Sequence, residues 1–122
     1  PLLTTTEYDC IIGNCDALAL GAVEAMKSQG LDPSSIPIVG IDATTDGRQA
    51  IHDGDMYMTV FQNAKGQGYG CLMAAANLVS GKAPNEGTEW DLDAEKHTVW
   101  IPFEPVTIDN VDEYDNYELN IG

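Results

Sequence analysis

The first half of the chain alternates short apolar runs with amphipathic stretches. The runs from Tyr8 to Gly13, Ile36 to Ile41 and Tyr57 to Phe61 predict three strands. Between them, Asp16 to Gln29 and Asp46 to His52 repeat apolar residues with the period of a helix. Apolar strands that alternate with helices are typical of a parallel sheet covered on both faces. The pattern therefore predicts an α/β fold in which a parallel sheet is flanked by helices.

The first of these helices has clear signals at both ends. Asp16 is a favourable N-cap residue, and Gly30 is a favourable stop. Its apolar face is predicted to carry four residues that contribute to the core: Leu18, Ala22, Ala25 and Met26. The stretch from Pro1 to Thr6 carries no pattern and is interpreted as a linker.

The second half of the chain is less regular. It predicts a helix from about Ala64 to Ser80, a strand from His97 to Phe103 and a short terminal helix from Ile108 to Tyr114, capped by Asp109. Two prolines are expected to break the strand pattern, one near the end of that strand and one after it: Pro102 and Pro105. Three glycines lie on the first turns of the longer helix: Gly66, Gly68 and Gly70. Because their spacing differs from the dinucleotide fingerprint, we interpret them as sites of close helix packing.

Composition limits the class of protein. The 122 residues, 43% of them hydrophobic, suit one ordinary globular domain. Acidic residues number 20 against 5 basic residues, which gives a formal net charge of -15. This charge repels phosphate backbones and anionic membrane surfaces. We therefore predict no nucleic-acid partner.

The three cysteines form no metal-binding pattern and cannot all pair within the chain. Cys10 and Cys71 lie on apolar patterns and are predicted to be small buried side chains. Cys15 differs from them because it lies where a strand gives way to a helix.

No catalytic motif is recognised. The sequence has no Ser-His-Asp order, nucleophile elbow, HExxH pair or phosphate-binding loop. His52 and His97 are isolated along the sequence. Acidic pairs such as Asp53 and Asp55 lie in predicted turns, where capping and solvation account for them. We therefore predict no catalytic residue, no metal ligand and no enzymatic activity.

Polar side chains follow all three predicted strands. Asn14 and Cys15 follow the first strand, Asp42 the second, and Gln62 the third. In open parallel sheets, ligands bind in the crevice outside the carboxyl ends of the strands. The Asp42 carboxylate could accept two hydroxyl hydrogen bonds, and the Gln62 amide can both donate and accept. The alternative is that these side chains only cap the helices that follow.

At these residues the chain resembles the carboxyl-terminal half of periplasmic sugar-binding proteins of the galactose/glucose and ribose type. The segment GNCDALALGAVEAM resembles the family's Asn-Asp-x-Met-Ala-x-Gly-Ala segment, and IPIVGIDATTDGRQAI resembles its Gly-Phe/Val-Asp segment. GDMYMTVFQ resembles the third binding strand, and the stretch from Gly81 to Tyr114 looks most like the galactose/glucose branch. The match runs from Tyr8 to Tyr114 and implies part of a two-lobed, type I periplasmic-binding-protein fold.

The resemblance assigns roles to individual residues. Asp42 matches the aspartate that grips two sugar hydroxyls, and Gln62 matches the third-strand amide. Cys15 stands where the family has a ligand-binding asparagine, so the ligand or its orientation is expected to differ. Asp16 is expected to cap the helix rather than contact ligand. Asp9 matches the last carboxylate of a calcium loop whose remainder would lie before Pro1, so we predict no cofactor here and leave calcium open for the full-length parent.

The resemblance also implies a division of the chain. Residues 1–62 would belong to the carboxyl-terminal sugar-binding lobe, residues 63–103 would cross to the amino-terminal lobe, and residues 104–122 would return through the hinge and form a tail. Because each lobe would lack several strands, we expect the chain to be a fragment. Its partner would be the missing amino-terminal half or a second copy that completes the sheets.

The function that the resemblance implies is that of the substrate-binding component of a bacterial ABC sugar transporter. Closure of two lobes over a monosaccharide would present it to the membrane permease. Such a protein is exported, to the periplasm or to the cell surface as a lipoprotein. The alternative is the effector-binding domain of a sugar-responsive transcription regulator, which would need a DNA-binding segment before Pro1. An enzyme acting on a small polar metabolite would need a base near Asp42, and the sequence offers no candidate.

Overall fold

A computed structural model describes residues 2–116. The helices are α1 (Leu2–Thr5), α2 (Asp16–Ser28), α3 (Thr45–His52), α4 (Ala64–Val79) and α5 (Val111–Tyr114), and a 3₁₀ turn covers Pro33–Ser35. The strands are β1 (Ile11–Ile12), β2 (Ile38–Val39), β3 (Met58–Gln62), β4 (Asp91–Asp93), β5 (Thr98–Trp100) and β6 (Phe103–Thr107). Within residues 2–116, no helix has the length and apolar character needed to cross a bilayer.

Four strands form one sheet in the order β1-β2-β3-β6. β1 pairs with β2 in parallel, with Ile11 opposite Ile38, and β2 pairs with β3 in parallel, with Val39 opposite Met58. Helix α2 connects β1 to β2 and helix α3 connects β2 to β3, as parallel neighbours require. The predicted α/β fold with a parallel sheet and flanking helices is confirmed.

The described chain divides into two compact units. The first unit contains the described residues up to Gln62 and those from Glu104 onward, and the second contains Asn63–Phe103. Every buried apolar side chain among the described residues belongs to the first unit. These side chains are Ala19, Val23, Met26, Ile38, Ala43, Ala50, Ile51, Met56, Phe61, Val106 and Val111.

Helix α2 contributes a different face to this core from the one predicted. Ala19, Val23 and Met26 follow the i, i+4, i+7 spacing of a single helical stripe and are all buried. Leu18 precedes this stripe by one position, which rotates it away from the core, and it is 60% exposed. Its prediction as a core residue was wrong.

One face of the sheet in the first unit is buried more completely than the other. In β3, Thr59 and Phe61 are buried, whereas Met58 and Val60 are only half-buried. Ile12 in β1 is 74% exposed. Within the described residues, one face of the sheet is therefore covered fully and the other only in part.

The second unit combines α4 with the β4-β5 hairpin. Asp91 pairs with Trp100 in this antiparallel hairpin. Gly70 lies so close to Trp90 and Ile101 that a side chain on it would meet both, which agrees with the interpretation of close packing for this glycine. At Gly68 an added side chain would meet nothing within 4 Å, so that interpretation does not extend to it.

Several local predictions were wrong, each for an identifiable reason. The stretch predicted as a linker includes α1, in which Leu3 packs against the core. Pro105 lies inside β6, because this strand is at the end of the described sheet, where a missing N–H is tolerated. Asn110, not Asp109, is the N-cap residue of α5. Cys10 and Cys71 are exposed, since Cys10 precedes the short β1 and Cys71 lies on an open face of α4.

Tyr114 attaches helix α5 to the rest of the first unit. Its ring lies 5.1 Å from that of Phe61, and its hydroxyl donates a hydrogen bond of 2.6 Å to Glu104 Oε2. Burial raises the pKa of Tyr114 to about 12, and the hydrogen bond and negative charge of Glu104 add to the shift.

This pKa predicts a loss of stability at high pH. Between the ordinary tyrosine pKa of 10.0 and about 12, the unfolded chain releases the Tyr114 proton and the folded chain keeps it. The folded state therefore binds more protons, and its stability falls as pH rises through this interval. An absorbance titration should show a phenolate step near 12 that disappears in Tyr114→Phe. The exposed Tyr57 gives the control, since Tyr57→Phe should leave that step in place; its loss there would refute the assignment.

Candidate functional site

Two of the predicted site residues meet at the ends of β2 and β3. Gln62 is the last residue of β3, and Asp42 lies three residues beyond the end of β2. The Nε2 of Gln62 donates a hydrogen bond of 3.0 Å to Asp42 Oδ1. Asp42 is exposed, and a carboxylate that accepts one hydrogen bond keeps further acceptor positions. The pair therefore presents acceptors and a donor side by side at the carboxyl ends of two parallel strands.

The backbone at Asp42 has an unusual conformation. Asp42 has φ 111° and Ala43 has φ 50°, and both values lie in the region that residues with a side chain seldom adopt. Such positions cost about 1–3 kcal/mol each and persist only where surrounding contacts impose them. Here the Asp42 N–H donates to the Val60 carbonyl at 2.8 Å, and Arg48 Nη1 donates to the Ala43 carbonyl at 2.5 Å. Hydrogen bonds thus hold the backbone of this turn at the N–H of Asp42 and at the carbonyl of Ala43.

The other two predicted site residues, Asn14 and Cys15, lie in the adjoining turn. Asn14 is exposed and Cys15 is half-buried. The N–H of the next residue, Asp16, donates to the Ile41 carbonyl at 2.8 Å, so this turn adjoins the residue before Asp42. Cys15 is the N-cap residue of α2, but its side chain makes no capping hydrogen bond. The prediction that Asp16 caps the helix was wrong, because Asp16 is already the first helical residue.

The Asp16 side chain is engaged in a buried hydrogen-bond cluster that the sequence did not reveal. It is 0% exposed. Its Oδ2 accepts from the Thr44 N–H at 2.7 Å and from the Thr44 hydroxyl at 3.0 Å, and its Oδ1 accepts from the Thr59 hydroxyl at 2.5 Å. Thr59 occupies an inward position of β3, two residues before Phe61. The polar Thr59 between the apolar residues Met58 and Val60 was the signal in the sequence that could have revealed this cluster.

Both cations of the first unit are already paired. Lys27 Nζ lies 2.5 Å from Asp55 Oδ2, a hydrogen bond that raises the pKa of Lys27. Arg48 is 8% exposed and binds the Ala43 carbonyl and, at 3.4 Å, Asp115 Oδ1. Among the described residues of this unit, no cationic side chain is left to receive a negatively charged group at the strand ends.

His52 has acidic neighbours that its position in the sequence did not predict. Its Nε2 lies 2.9 Å from Asp115 Oδ2 and 3.8 Å from Asp112 Oδ1. These three ligand-type atoms all lie within 4.8 Å of one another. Because Arg48 approaches the other oxygen of Asp115, the group forms a polar junction between α3 and α5.

Comparison with known proteins gives consistent matches. A sequence model of the family described as periplasmic binding protein domain matches residues 1–83. The chain is 39% identical over 108 residues to a protein of Rhizobium meliloti that is provisionally named a rhizopine-binding protein. It is 36% identical over 108 residues to the D-galactose/methyl-galactoside binding periplasmic protein of Haemophilus influenzae. Each alignment covers 88% of this chain and 31% of the relative.

A solved structure also matches. The crystal structure of an ABC transporter solute binding protein from Bacillus halodurans with bound myo-inositol aligns with a TM-score of 0.71 and 34% identity. The alignment covers 93% of this chain and 35% of that structure. The chain therefore spans about a third of the length of the relatives it matches.

The packing around Asp16 generates a test of the site's architecture. A side chain on Gly40 would overlap the Asp16 carboxylate and the Met56 methyl group, whereas one on Gly21, in α2, would meet nothing within 4 Å. We expect Gly40→Ala to destabilise the fold by about 1–3 kcal/mol through overpacking. Gly21→Ala should stabilise it by about 0.5–1 kcal/mol, because alanine favours a helix. Urea unfolding of both variants measures the difference, and equal stabilities would contradict the geometry.

Proposed function

The chain belongs to the periplasmic binding protein domain family, and on this premise we propose that it binds a small polyhydroxylated ring compound at the ends of β2 and β3. The family and fold expected from the sequence motifs are confirmed. The matched relatives are binding proteins, which supports the prediction of binding without catalysis. The observation that carries the proposal is the exposed, hydrogen-bonded pair of Asp42 and Gln62.

The chemistry of this pair suits neighbouring hydroxyl groups. One ligand hydroxyl can donate to the Asp42 carboxylate, and a hydrogen bond to a charged acceptor is stronger than one between neutral groups. A second hydroxyl can donate to the Gln62 amide oxygen. Asn14 and Cys15 lie in the turn beside them and complete the proposed set of ligand-binding residues. Cys15 replaces the amide expected from the family with a weak donor, which would alter how that edge of the ligand is held.

The charges of the first unit narrow the ligand further. Lys27 and Arg48 are engaged elsewhere, and Asp42 contributes a negative charge at the proposed site. A carboxylate or phosphate on the ligand would be repelled by Asp42, and no cationic side chain among the described residues of the first unit is free to compensate for it. The proposal is therefore a neutral ligand, a monosaccharide of the galactose, glucose or ribose class or a cyclic polyol. The names of the galactose-binding relative and of the myo-inositol complex support this range.

The role in transport follows from the relatives. We propose that the full-length protein delivers its ligand to an ABC transporter permease and works in the periplasm, as the names of two matched proteins indicate. Attachment to the cell surface as a lipoprotein stays a prediction from the resemblance. No structural observation favours the alternative of a transcription regulator.

A missing partner segment is the second part of the proposal. The second unit has no buried apolar side chain, and α4 exposes Leu72 by 74% and Val79 by 92%. In the first unit, Ile12 is exposed on the end strand β1. Since the matched relatives are about three times as long, we propose that further chain of the same protein covers these surfaces. The lobe assignment of residues 1–62, 63–103 and 104–122 belongs to this proposal.

The ligand site is tested with Asp42. Asp42→Ala in the full-length parent should weaken binding of a matching neutral sugar or polyol by about 10- to 100-fold, because a hydrogen bond to a charged acceptor is lost. Calorimetric titration with a panel of monosaccharides and inositols measures the effect.

Asp53 offers a matched control. It is an exposed aspartate at the C-cap of α3, so Asp53→Ala should leave the affinity unchanged. Comparable losses in both variants would contradict a specific role for Asp42. A folded wild-type protein that binds no member of the panel would refute the proposed ligand class.

The missing segment is tested by comparing the isolated chain with its full-length parent. We expect the isolated chain to bind a hydrophobic dye and to self-associate as concentration rises, because its apolar surface is uncovered. The full-length protein should do neither. Light scattering after size exclusion measures association, and a monomeric isolated chain without dye binding would contradict the proposal.

A further inference from the structure

The buried Asp16 cluster has a feature that helix packing alone does not require. Asp16 is the first residue of α2, yet all its side-chain hydrogen bonds reach other elements: the N-terminus of α3 through Thr44 and the middle of β3 through Thr59. Burying a carboxylate is unfavourable unless donors surround it. Both oxygens of Asp16 have donors, and no buried side-chain polar atom of the described chain lacks a partner.

The cluster reaches the backbone next to Asp42. Thr59 Oγ1 donates to Asp16 Oδ1 at 2.5 Å and accepts from the Ala43 N–H at 3.2 Å. The following N–H, that of Thr44, donates directly to Asp16 Oδ2 at 2.7 Å. Asp16 and Thr59 therefore hold two consecutive peptide groups immediately after Asp42.

The conformation of these residues explains why they need such support. Asp42 and Ala43 both have positive φ, which neither residue adopts readily without external contacts. Gly40 and Gly47 leave the space that the Asp16 carboxylate occupies. The carboxylate is thus placed to impose the backbone turn from which the Asp42 side chain extends.

We propose that Asp16 and Thr59 are positioning residues that act through the Ala43 and Thr44 peptide groups to hold the Asp42 carboxylate in its ligand-binding orientation. This inference rests on the proposed function, but it adds residues that contact no ligand. It makes ligand affinity depend on a hydroxyl inside the first unit. A purely structural cluster would affect stability without affecting affinity in the folded protein.

The test compares three variants of the full-length parent. Thr59→Val keeps the shape of the side chain but removes the hydroxyl that links Asp16 to Ala43. Thr59→Ser keeps the hydroxyl. Val23 is 2% exposed, so Val23→Ala removes buried apolar volume from α2 and should lower the stability of the fold. It leaves the Asp16 cluster unchanged and therefore serves as the control.

The readouts are calorimetric affinity for D-galactose and myo-inositol, and amide hydrogen exchange at Ala43 and Thr44 in the ligand-free protein. We expect Thr59→Val to weaken binding at least tenfold and to accelerate exchange at both amides. Thr59→Ser should stay within threefold of the wild type. Val23→Ala should keep wild-type affinity. Its exchange rates at these two amides should be lower than those of Thr59→Val.

The possible results separate this inference from the function on which it rests. If wild-type protein binds a probe and Asp42→Ala abolishes binding while Thr59→Val leaves affinity unchanged, the positioning role is wrong and the ligand site stands. If the folded wild type binds neither probe, the proposed function fails for both ligands and this inference fails with it.

A second variant serves if Thr59→Val does not fold. Asp16→Asn keeps the side-chain volume but leaves a single side-chain oxygen to accept the hydrogen bonds that two oxygens accept in Asp16. It should therefore weaken ligand affinity and accelerate amide hydrogen exchange at Thr44. Wild-type affinity in Asp16→Asn would overturn the inference.

Discussion

A carboxylate without solvent contact constrains everything around it, and Asp16 is such a group. Its negative charge is tolerated because Thr44 and Thr59 donate to both of its oxygens. Those donors come from α3 and β3, so the start of α2 cannot shift without breaking contacts to two other elements. The relative placement of the strand ends therefore depends on the hydrogen bonds of Asp16, whereas most of the buried side chains belong to the apolar core.

The two units differ in how much apolar surface each of them buries. The first has an apolar core that involves α2, α3, β2, β3, β6 and α5. The second relies on smaller contacts, such as the approach of Trp90 to Gly70 and the hydrogen bonds from Asn77 to the Pro84 and Glu86 carbonyls. A unit without buried apolar side chains gains little from the hydrophobic effect. Its stability is therefore expected to depend little on apolar burial within the unit itself.

The sequence predicted the order of the main elements well, because hydrophobic period and turn residues are local signals. It placed Asp42 and Gln62 at the ends of neighbouring strands, and the structure brings them within hydrogen-bonding distance. It missed the Asp16 cluster, because Thr44 and Thr59 lie 28 and 43 residues away along the chain. It also misjudged Leu18 and Cys71, since helical periodicity identifies an apolar stripe but not the side of the helix that finds a partner.

Three consecutive residues of the β1–α2 turn differ in burial and in hydrogen bonding. Asn14 is exposed, Cys15 is half-buried without a capping bond, and Asp16 is fully buried. Mutational tolerance should therefore change sharply from one residue to the next. The first two positions, which belong to the proposed ligand-binding set, can change with little loss of buried contact, while the third anchors the scaffold. Under the proposed site, one turn therefore combines residues that are free to change with a residue that the fold requires.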